Sequence, residues 1–123
     1  MQRLKTLTVS IVALSFLTQC APATRFSWGN YEDALYVYYK SPSGRDAYKK
    51  ALVDAIDRGK KQNNVAPGML AELGYLYLED GNTAQATQLF QEEIQRFPES
   101  RPFLDRIIER STAPRPNVAG GVS

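Results

Sequence analysis

Cys20 is the chain's only cysteine, and its thiol is the most reactive nucleophile in the sequence. It follows a short basic segment that contains Arg3 and Lys5, and then an apolar run from Leu7 to Leu17. A positively charged start followed by a short apolar run is typical of a secretory signal segment, and the run is too short to span a bilayer comfortably. A thiol at this place can be alkylated, and a single cysteine excludes an intramolecular disulfide.

The stretch Leu17-Thr18-Gln19-Cys20-Ala21 resembles the cleavage site of a bacterial lipoprotein signal peptide. The resemblance implies that residues 1–19 are removed and that Cys20 carries the lipid, palmitate among its acyl chains. It also implies an outer-membrane address on the periplasmic face, because no acidic residue follows the cysteine. Gln19 departs from the usual Gly, Ala or Ser and could slow cleavage. Two alternatives remain open: an ordinary signal peptide cleaved near Ala21-Pro22-Ala23, and an uncleaved membrane anchor.

Histidine is absent from the chain. This excludes His-containing catalytic triads, Cys–His dyads, His-ligated zinc and imidazole general bases. Carboxylate chemistry remains, but paired acids act as acid and base only in a cleft that shifts their pKa values. We interpret Glu92-Glu93 and Glu79-Asp80 as solvated helix faces or helix caps. We therefore predict no catalytic residue, no metal and no cofactor.

The charge pattern argues against nucleic acid as a partner. The whole chain has a net charge of +2, and Arg3 and Lys5 account for it, so a chain that begins at Cys20 is neutral. Nucleic-acid binding needs a clustered basic surface, and the sequence has no such run.

Apolar residues at helical spacing predict five helices between Ser27 and Ser111, joined by short connections. The expected class is therefore all-α, built from antiparallel helical hairpins. Ser43 with Asp46, and Asn82 with Gln85, look like capping boxes, and Ser100 looks like a third cap. The expected helices run from about Asn30 to Lys40, from Ser43 to Gly59, from Pro67 to Gly81, from Asn82 to Phe97, and onward from Ser100.

The domain organisation follows from these segments. We expect a signal peptide at 1–19, a lipidated tether at 20–25, a helical domain at 26–111 and a tail at 112–123. The tail is rich in Pro and Gly and has almost nothing to bury, so it is expected to be disordered.

The third and fourth predicted helices match part of the tetratricopeptide pattern. In that pattern Gly74 lies where the two helices approach closely, and Pro98 ends the second helix. Leu70 replaces the usual Trp, and Glu93 replaces a small residue. One unit cannot bury its own face, so the flanking helices must cover it; a generic hairpin that matches by chance is the alternative. The matching positions are Leu73, Gly74, Tyr77, Ala86, Phe90 and Pro98.

Six aromatic residues fall within residues 26–39. They could form a partner contact, a membrane-interface belt or simply part of the core. Tyr31, Leu35 and Tyr38 are expected on one inward face, which leaves Tyr36 for a partner. The candidate partner-binding residues are Trp28, Tyr31, Tyr36, Leu70 and Tyr77.

Three stretches resemble an uncharacterised family of bacterial lipoproteins that carry a domain of unknown function. They are Trp28 to Glu32, Pro67 to Tyr75, and Phe97 to Ser100, and the resemblance extends over about Phe26–Ile108. Members often have a second proline where this chain has Ala66. Their genes commonly lie beside a lipoprotein similar to the curli-secretion-channel subunit and beside a third small lipoprotein. The family implies no catalytic residue.

Two functions are consistent with the sequence. The first is a non-enzymatic, lipid-anchored adaptor that docks a partner lipoprotein or secretion-channel subunit at the outer membrane. The second is a periplasmic enzyme that acts on the cell wall through carboxylates, and it requires two acids that face one pocket.

Overall fold

The computed structural model describes residues 25–114, and within this range the chain is helical with no strand. This confirms the all-α prediction with five helices. The helices are α1 (Tyr31–Lys40), α2 (Arg45–Lys61), α3 (Met69–Glu79), α4 (Thr83–Arg96) and α5 (Arg101–Thr112). Two short 3-10 turns precede α2 and α5, at Pro42–Gly44 and Pro98–Ser100.

Each helix packs against the next helix in the chain, and the connections are short enough to make consecutive helices antiparallel. The described domain therefore has two ends. The Arg25 end comprises residues 25–30, 57–68 and 96–101, and the Lys40 end comprises residues 40–45, 79–83 and 112–114. Side-chain contacts join segments at each end: Asn64 Nδ2 donates to the Arg25 carbonyl at one, and Arg45 pairs with Asp80 at the other.

The core consists of two clusters that meet at α3 and α4. The first fills the space between α1, α2 and α3, and its centre is Leu52 and Leu70. The second lies between α4 and α5 and contains Phe90, Ile94 and Leu104. Tyr77 packs against both clusters. Helices α3 and α4 form the central hairpin. The first cluster covers one side of it with α1 and α2, and the second covers the other side with α5. A single helical hairpin needs such flanking helices, because it cannot bury its own apolar surface.

Gly74 and Phe90 set the distance between α3 and α4. A Cβ placed on Gly74 would lie 2.6 Å from Cε1 of Phe90, and Phe90 is completely buried. Contacts this short do not occur between real carbon atoms, so the ring occupies the space that a side chain at position 74 would need. The expected close approach at Gly74 is confirmed, and its partner is the Phe90 ring.

Two of the predicted helix starts are wrong in detail. Ser43 lies inside the 3-10 turn, and its hydroxyl shares a hydrogen bond with Ser41 Oγ instead of capping α2. The third helix begins at Met69, two residues later than predicted, because Gly68 adopts a left-handed conformation with φ of 90°. Only glycine takes this conformation without strain.

The other two predicted caps have different outcomes. Asn82 does cap α4, since its Oδ1 accepts the backbone N–H of Gln85 at 3.2 Å. The Ser100 hydroxyl makes no cap to α5; it donates to the carbonyl of Phe97 at 2.7 Å.

Residues 1–24 and 115–123 are outside the described range. The signal peptide, the tether, the lipid site at Cys20 and most of the predicted disordered tail lie there and stay predictions. Within residues 25–114, every helix is too short or too polar to cross a membrane.

Candidate interaction surface

The first helix carries apolar side chains on an exposed face as well as on its buried inner face. Its inner face packs on α2 and α3 through Tyr31 and Ala34, which are buried. On its outer face Leu35, Tyr36 and Tyr39 are 37%, 62% and 83% exposed. Together with Glu32 they line one shallow surface depression. The spacing of three, four and seven residues from Glu32 places them in one row along the helix. We call Leu35, Tyr36 and Tyr39 the outer stripe.

The outer stripe differs in one member from the sequence prediction. Leu35 was expected to share the inner face with Tyr31 and Tyr38, but it lies on the outer face beside Tyr36. Ala34 takes the inner position, because the inner row runs through residues 31, 34 and 38. Tyr36 projects outward, and Lys40 Nζ lies 5.5 Å from the centre of its ring. The exposed apolar surface of α1 is therefore larger than the sequence predicted, since it contains Leu35 and Tyr39 in addition to Tyr36.

Stacked tyrosine rings hold the inner face of α1. The rings of Tyr38 and Tyr48 are 5.2 Å apart and inclined by only 11°, and those of Tyr31 and Tyr48 are 5.9 Å apart. Such offset ring pairs are worth about 0.5–1.5 kcal/mol beyond their buried area. They attach α1 to α2 through one face only, so the orientation of the outer stripe is fixed.

Glu72 on α3 fixes the same helix by hydrogen bonds. Its Oε2 accepts the hydroxyl of Tyr31 at 2.8 Å and that of Tyr48 at 2.7 Å. Burial and the Glu72 carboxylate raise the pKa of Tyr31 to about 12 and raise that of Tyr48 further. Both effects disfavour the tyrosinate, because a second negative charge beside the carboxylate would be repelled in a poorly solvated place. Both tyrosines remain donors at neutral pH.

The remaining candidate residues belong to the packing of the domain. Tyr31 is buried in the network just described, and Leu70 has 0% exposure, so neither presents a side chain to a partner in this structure. Trp28 is half-buried between the rings of Phe26 and Tyr31. Tyr77 is half-buried, and Lys49 Nζ covers its ring at 3.8 Å. Only Tyr36 among the five joins the outer stripe.

Two pairs of acids were interpreted as solvated faces or caps, and they behave differently. Asp80 lies at the surface and forms ion pairs with Arg45 at 2.8 Å and with Lys49 at 2.7 Å. Glu93, by contrast, is only 2% exposed. Its Oε1 accepts the backbone N–H of Gly68 at 2.6 Å, at the start of α3. Glu93 therefore does not lie on a solvated face; it takes the other expected role, that of a helix cap, and the helix that it caps is α3.

The burial of Glu93 also bears on acid–base chemistry. Burial raises its pKa, although the backbone N–H groups at the start of α3 oppose the shift. A raised pKa is what a general acid needs, but a carboxyl this deep has no access for a substrate. Among the described residues, no three side chains of the types His, Cys, Asp and Glu come together to hold a metal ion.

The comparison with protein families assigns this domain. The family described as "Domain of unknown function (DUF4810)" matches residues 26–107, which is most of the described range. The chain belongs to this family. The match confirms the predicted membership of a domain-of-unknown-function family, and its limits agree with the predicted Phe26–Ile108. No curated protein and no solved structure matches the chain.

The DUF4810 region contains both the two-cluster core and the outer stripe. It begins at Phe26, the first ring of the aromatic series that leads to Tyr31. It ends at Ile107, which packs on the second cluster. The family limits therefore agree to within one residue with the limits of the packed core, which also includes Ile108.

Proposed function

We propose that this protein is a non-enzymatic adaptor, anchored by a lipid on Cys20 to the outer membrane, that docks a partner protein through the outer stripe. The observation that carries the proposal is the exposure of Leu35, Tyr36 and Tyr39 in one row, on a helix whose other face is in the core. Tyrosine is enriched in interfaces because it offers a large contact area with little loss of conformational entropy.

The position of the stripe favours a protein partner over a membrane-interface belt. The chain arrives from Cys20 at the Arg25 end, whereas the most exposed member of the stripe, Tyr39, lies near the Lys40 end. Tyr39 is eight residues beyond Tyr31, which is about 12 Å along a helix axis. An aromatic belt would be expected nearest the lipid.

The lipid and the stripe would act together. Two proteins held at the same membrane meet at a high effective concentration, so a contact of modest affinity is enough for a stable assembly. A small exposed stripe of three residues suits such a contact. We propose as partner a lipoprotein similar to the curli-secretion-channel subunit, in an assembly of the cell envelope.

The docking proposal is tested by affinity capture of the tagged full-length protein from its own envelope under mild crosslinking. The test variant carries Tyr36→Ser and Tyr39→Ser. The matched control carries Gln88→Ser and Gln91→Ser, two exposed positions on α4. We expect wild type and control to return the channel-like lipoprotein and the stripe variant to return at least tenfold less, since a tyrosine that is a hot spot of an interface contributes about 2 kcal/mol or more. Equal recovery by the stripe variant would contradict the proposal.

The anchor is tested separately by mass spectrometry of the mature N-terminus. We expect residue 20 to be the first residue and to carry a diacylglyceryl group on its sulfur, and Cys20→Ser to prevent both. A free thiol at position 20, or a mature chain that begins after Ala21-Pro22-Ala23, would remove the lipid anchor from the proposal.

A further inference from the structure

We propose that two copies of this protein pair through the outer stripe, with their first helices antiparallel about a two-fold axis between Leu35 and Tyr36. This pairing rests on the proposed docking role of the stripe and adds a regulation to it, because a paired copy has no free stripe for the partner protein. The order of side chains along α1 identifies the second copy as the occupant. Glu32 comes first, Leu35 and Tyr36 lie at the middle, and Tyr39 and Lys40 come last.

The outer face of α1 is open within residues 25–114. α1 lies at the edge of the domain, and α2 and α3 pack on its inner face. Val37 is 51% exposed and extends the apolar surface beside the stripe. A contiguous exposed apolar patch marks an interaction site, and two-fold homodimers are by far the commonest oligomers.

A two-fold axis at the middle of α1 brings complementary groups together. Since the second helix runs in the opposite direction, Leu35 of one copy lies opposite Tyr36 of the other, and Tyr39 lies opposite Glu32. Tyr39 and Glu32 are two helical turns apart and lie in one row, so both belong to the contact. The Tyr39 hydroxyl can then donate a hydrogen bond to the Glu32 carboxylate of the second copy, and the symmetry makes this contact twice.

The charges of α1 also fit an antiparallel pair. The charged residues of this helix are Glu32 and Asp33 in its first turn and Lys40 in its last. In an antiparallel pair each Lys40 lies beside the two acids of the other copy. A parallel pair would instead bring acids to acids and lysine to lysine, which is repulsive. Because α2 packs on the inner face, the charges that meet at the outer face are those of α1 itself.

The size of the contact makes the pairing weak and reversible. α1 has ten residues, so its outer face is about 15 Å long and about 10 Å wide. Two such faces bury less than the roughly 1,200 Å² of a stable interface. Lipid anchors on both copies raise their effective concentration, so we expect pairing at the membrane and not in dilute solution. A partner that binds the stripe more tightly would displace the second copy.

The pairing is tested by disulfide trapping of the full-length protein in phosphatidylcholine vesicles, in a sample whose lipid is confirmed by mass spectrometry. Because the lipid occupies the sulfur of Cys20, an added cysteine is the only free thiol. The variants are Tyr36→Cys beside the axis, Glu32→Cys at one end of the stripe, and Gln88→Cys, an exposed control on α4. Oxidation joins two thiols only where their Cα atoms come within about 7 Å.

We expect Tyr36→Cys to form a disulfide-linked dimer, and Glu32→Cys and Gln88→Cys to form at least fivefold less. In the antiparallel pair the two copies of position 32 are separated by about 10 Å along the helix axes, whereas in a parallel pair they would face each other. No dimer at position 36, or an equal amount at position 32 or 88, would overturn the pairing.

Charge reversal tests the register in the Tyr36→Cys background. Glu32→Lys and Lys40→Glu should each reduce the dimer by about threefold or more, because single exposed ion pairs are weak but the symmetry reverses each contact twice. A mixture of the two variants should restore the dimer, since each acidic end then meets a basic one. Arg110→Glu, a charge reversal at an exposed position of α5, should change nothing. A mixture that stays monomeric would overturn the antiparallel register.

The pairing and the docking function fail in different experiments. If position 36 forms no dimer while the stripe variant with Tyr36→Ser and Tyr39→Ser still loses the channel-like lipoprotein, the pairing is wrong and the docking function is supported. If position 36 forms the dimer while that variant captures the lipoprotein normally, the stripe pairs two copies and the docking function is wrong.

Discussion

The carboxylate of Glu93 on α4 caps α3 by accepting the backbone N–H of Gly68 at 2.6 Å. Gly68 has no side chain to act as a cap, and its φ of 90° begins the helix. The cap therefore comes from a neighbouring helix, and it joins the central hairpin at its open end. A small residue is usual at position 93 of the tetratricopeptide pattern, so this contact is a departure from that pattern.

Glu93 should make the protein less stable as pH rises. Burial raises its pKa above the ordinary 4.5, so between pH 4.5 and the raised value the folded state holds a proton that the unfolded state releases. The free energy of unfolding then falls with rising pH in this window. Glu93→Gln should abolish this slope, as measured by denaturant unfolding from pH 4 to pH 8.

Glu92 is the matched control for this experiment. Burial alone would raise its pKa, but the hydrogen bonds and charges of Lys60 and Arg96 outweigh burial and lower it. Its contribution to stability is present above pH 4.5 and is lost as pH falls through the lowered pKa. Glu92→Gln should therefore lower the free energy of unfolding by a constant amount above pH 4.5, remove the Glu92 contribution to the fall below pH 4.5, and leave the slope above pH 4.5 unchanged. If the free energy of unfolding of Glu93→Gln still fell with rising pH above 4.5 as steeply as that of the wild type, the Glu93 carboxyl would not be buried as described.

Gly74→Ala should destabilise the protein by about 1–3 kcal/mol, because the new methyl group meets the buried Phe90 ring. The direction of the effect is diagnostic, because Gly→Ala at an unobstructed position within a helix stabilises a protein by about 0.5–1 kcal/mol. Chemical denaturation of the purified domain gives the value. In a Phe90→Leu background the cost of Gly74→Ala should shrink, as a double-mutant cycle would measure; the same cost in both backgrounds would mean that Phe90 is not the obstacle.

The tyrosine pair on Glu72 should be sensitive to the loss of one hydroxyl. Tyr48→Phe and Tyr31→Phe each remove a hydrogen bond to a carboxylate, so each should cost about 1.5–3 kcal/mol. Tyr38→Phe is the control, because the Tyr38 ring stacks on Tyr48 while Glu72 takes its two bonds from the other tyrosines. Thermal unfolding would separate the three variants, and equal melting temperatures would contradict the network.

The same pair predicts loss of stability in alkali. Since the pKa of Tyr31 is raised from 10.0 to about 12, the folded state keeps a proton between these values that the unfolded state loses. The free energy of unfolding should fall as pH rises from 10 to 12. Tyr31→Phe should reduce this fall when unfolding is followed by circular dichroism, and an identical alkaline limb would count against the assignment.

Sequence reasoning predicted what depends on local pattern. The five helices follow from apolar periodicity, and Asn82 was recognised as a cap because its bond reaches only to Gln85. Ser43 was not predicted correctly, since the 3-10 turn at Pro42–Gly44 leads directly into α2 and replaces the cap. The start of α3 was predicted two residues too early, because Pro67 suits a first helical turn and the sequence pattern does not show that Gly68 adopts a left-handed conformation.

The contacts that sequence reasoning missed connect distant segments. Glu72 accepts hydrogen bonds from Tyr31 and Tyr48, which precede it in the chain by 41 and 24 positions. No local spacing in the sequence indicates such pairs. Glu93 had one signal, a charged residue where the repeat pattern has a small one. The place of Leu35 was missed because α1 is apolar on both faces, so periodicity could not tell the inner row from the outer stripe.

The most direct test of the adaptor proposal is site-specific photo-crosslinking in the native envelope. A photoreactive phenylalanine analogue replaces Tyr39 in one strain and Gln88 in another, and both side chains point to solvent in the described domain. The proposal predicts a crosslinked product at position 39 that contains the channel-like lipoprotein, and none at position 88. A crosslink to that partner at position 88 alone, or no product at position 39, would contradict the outer stripe as the docking surface.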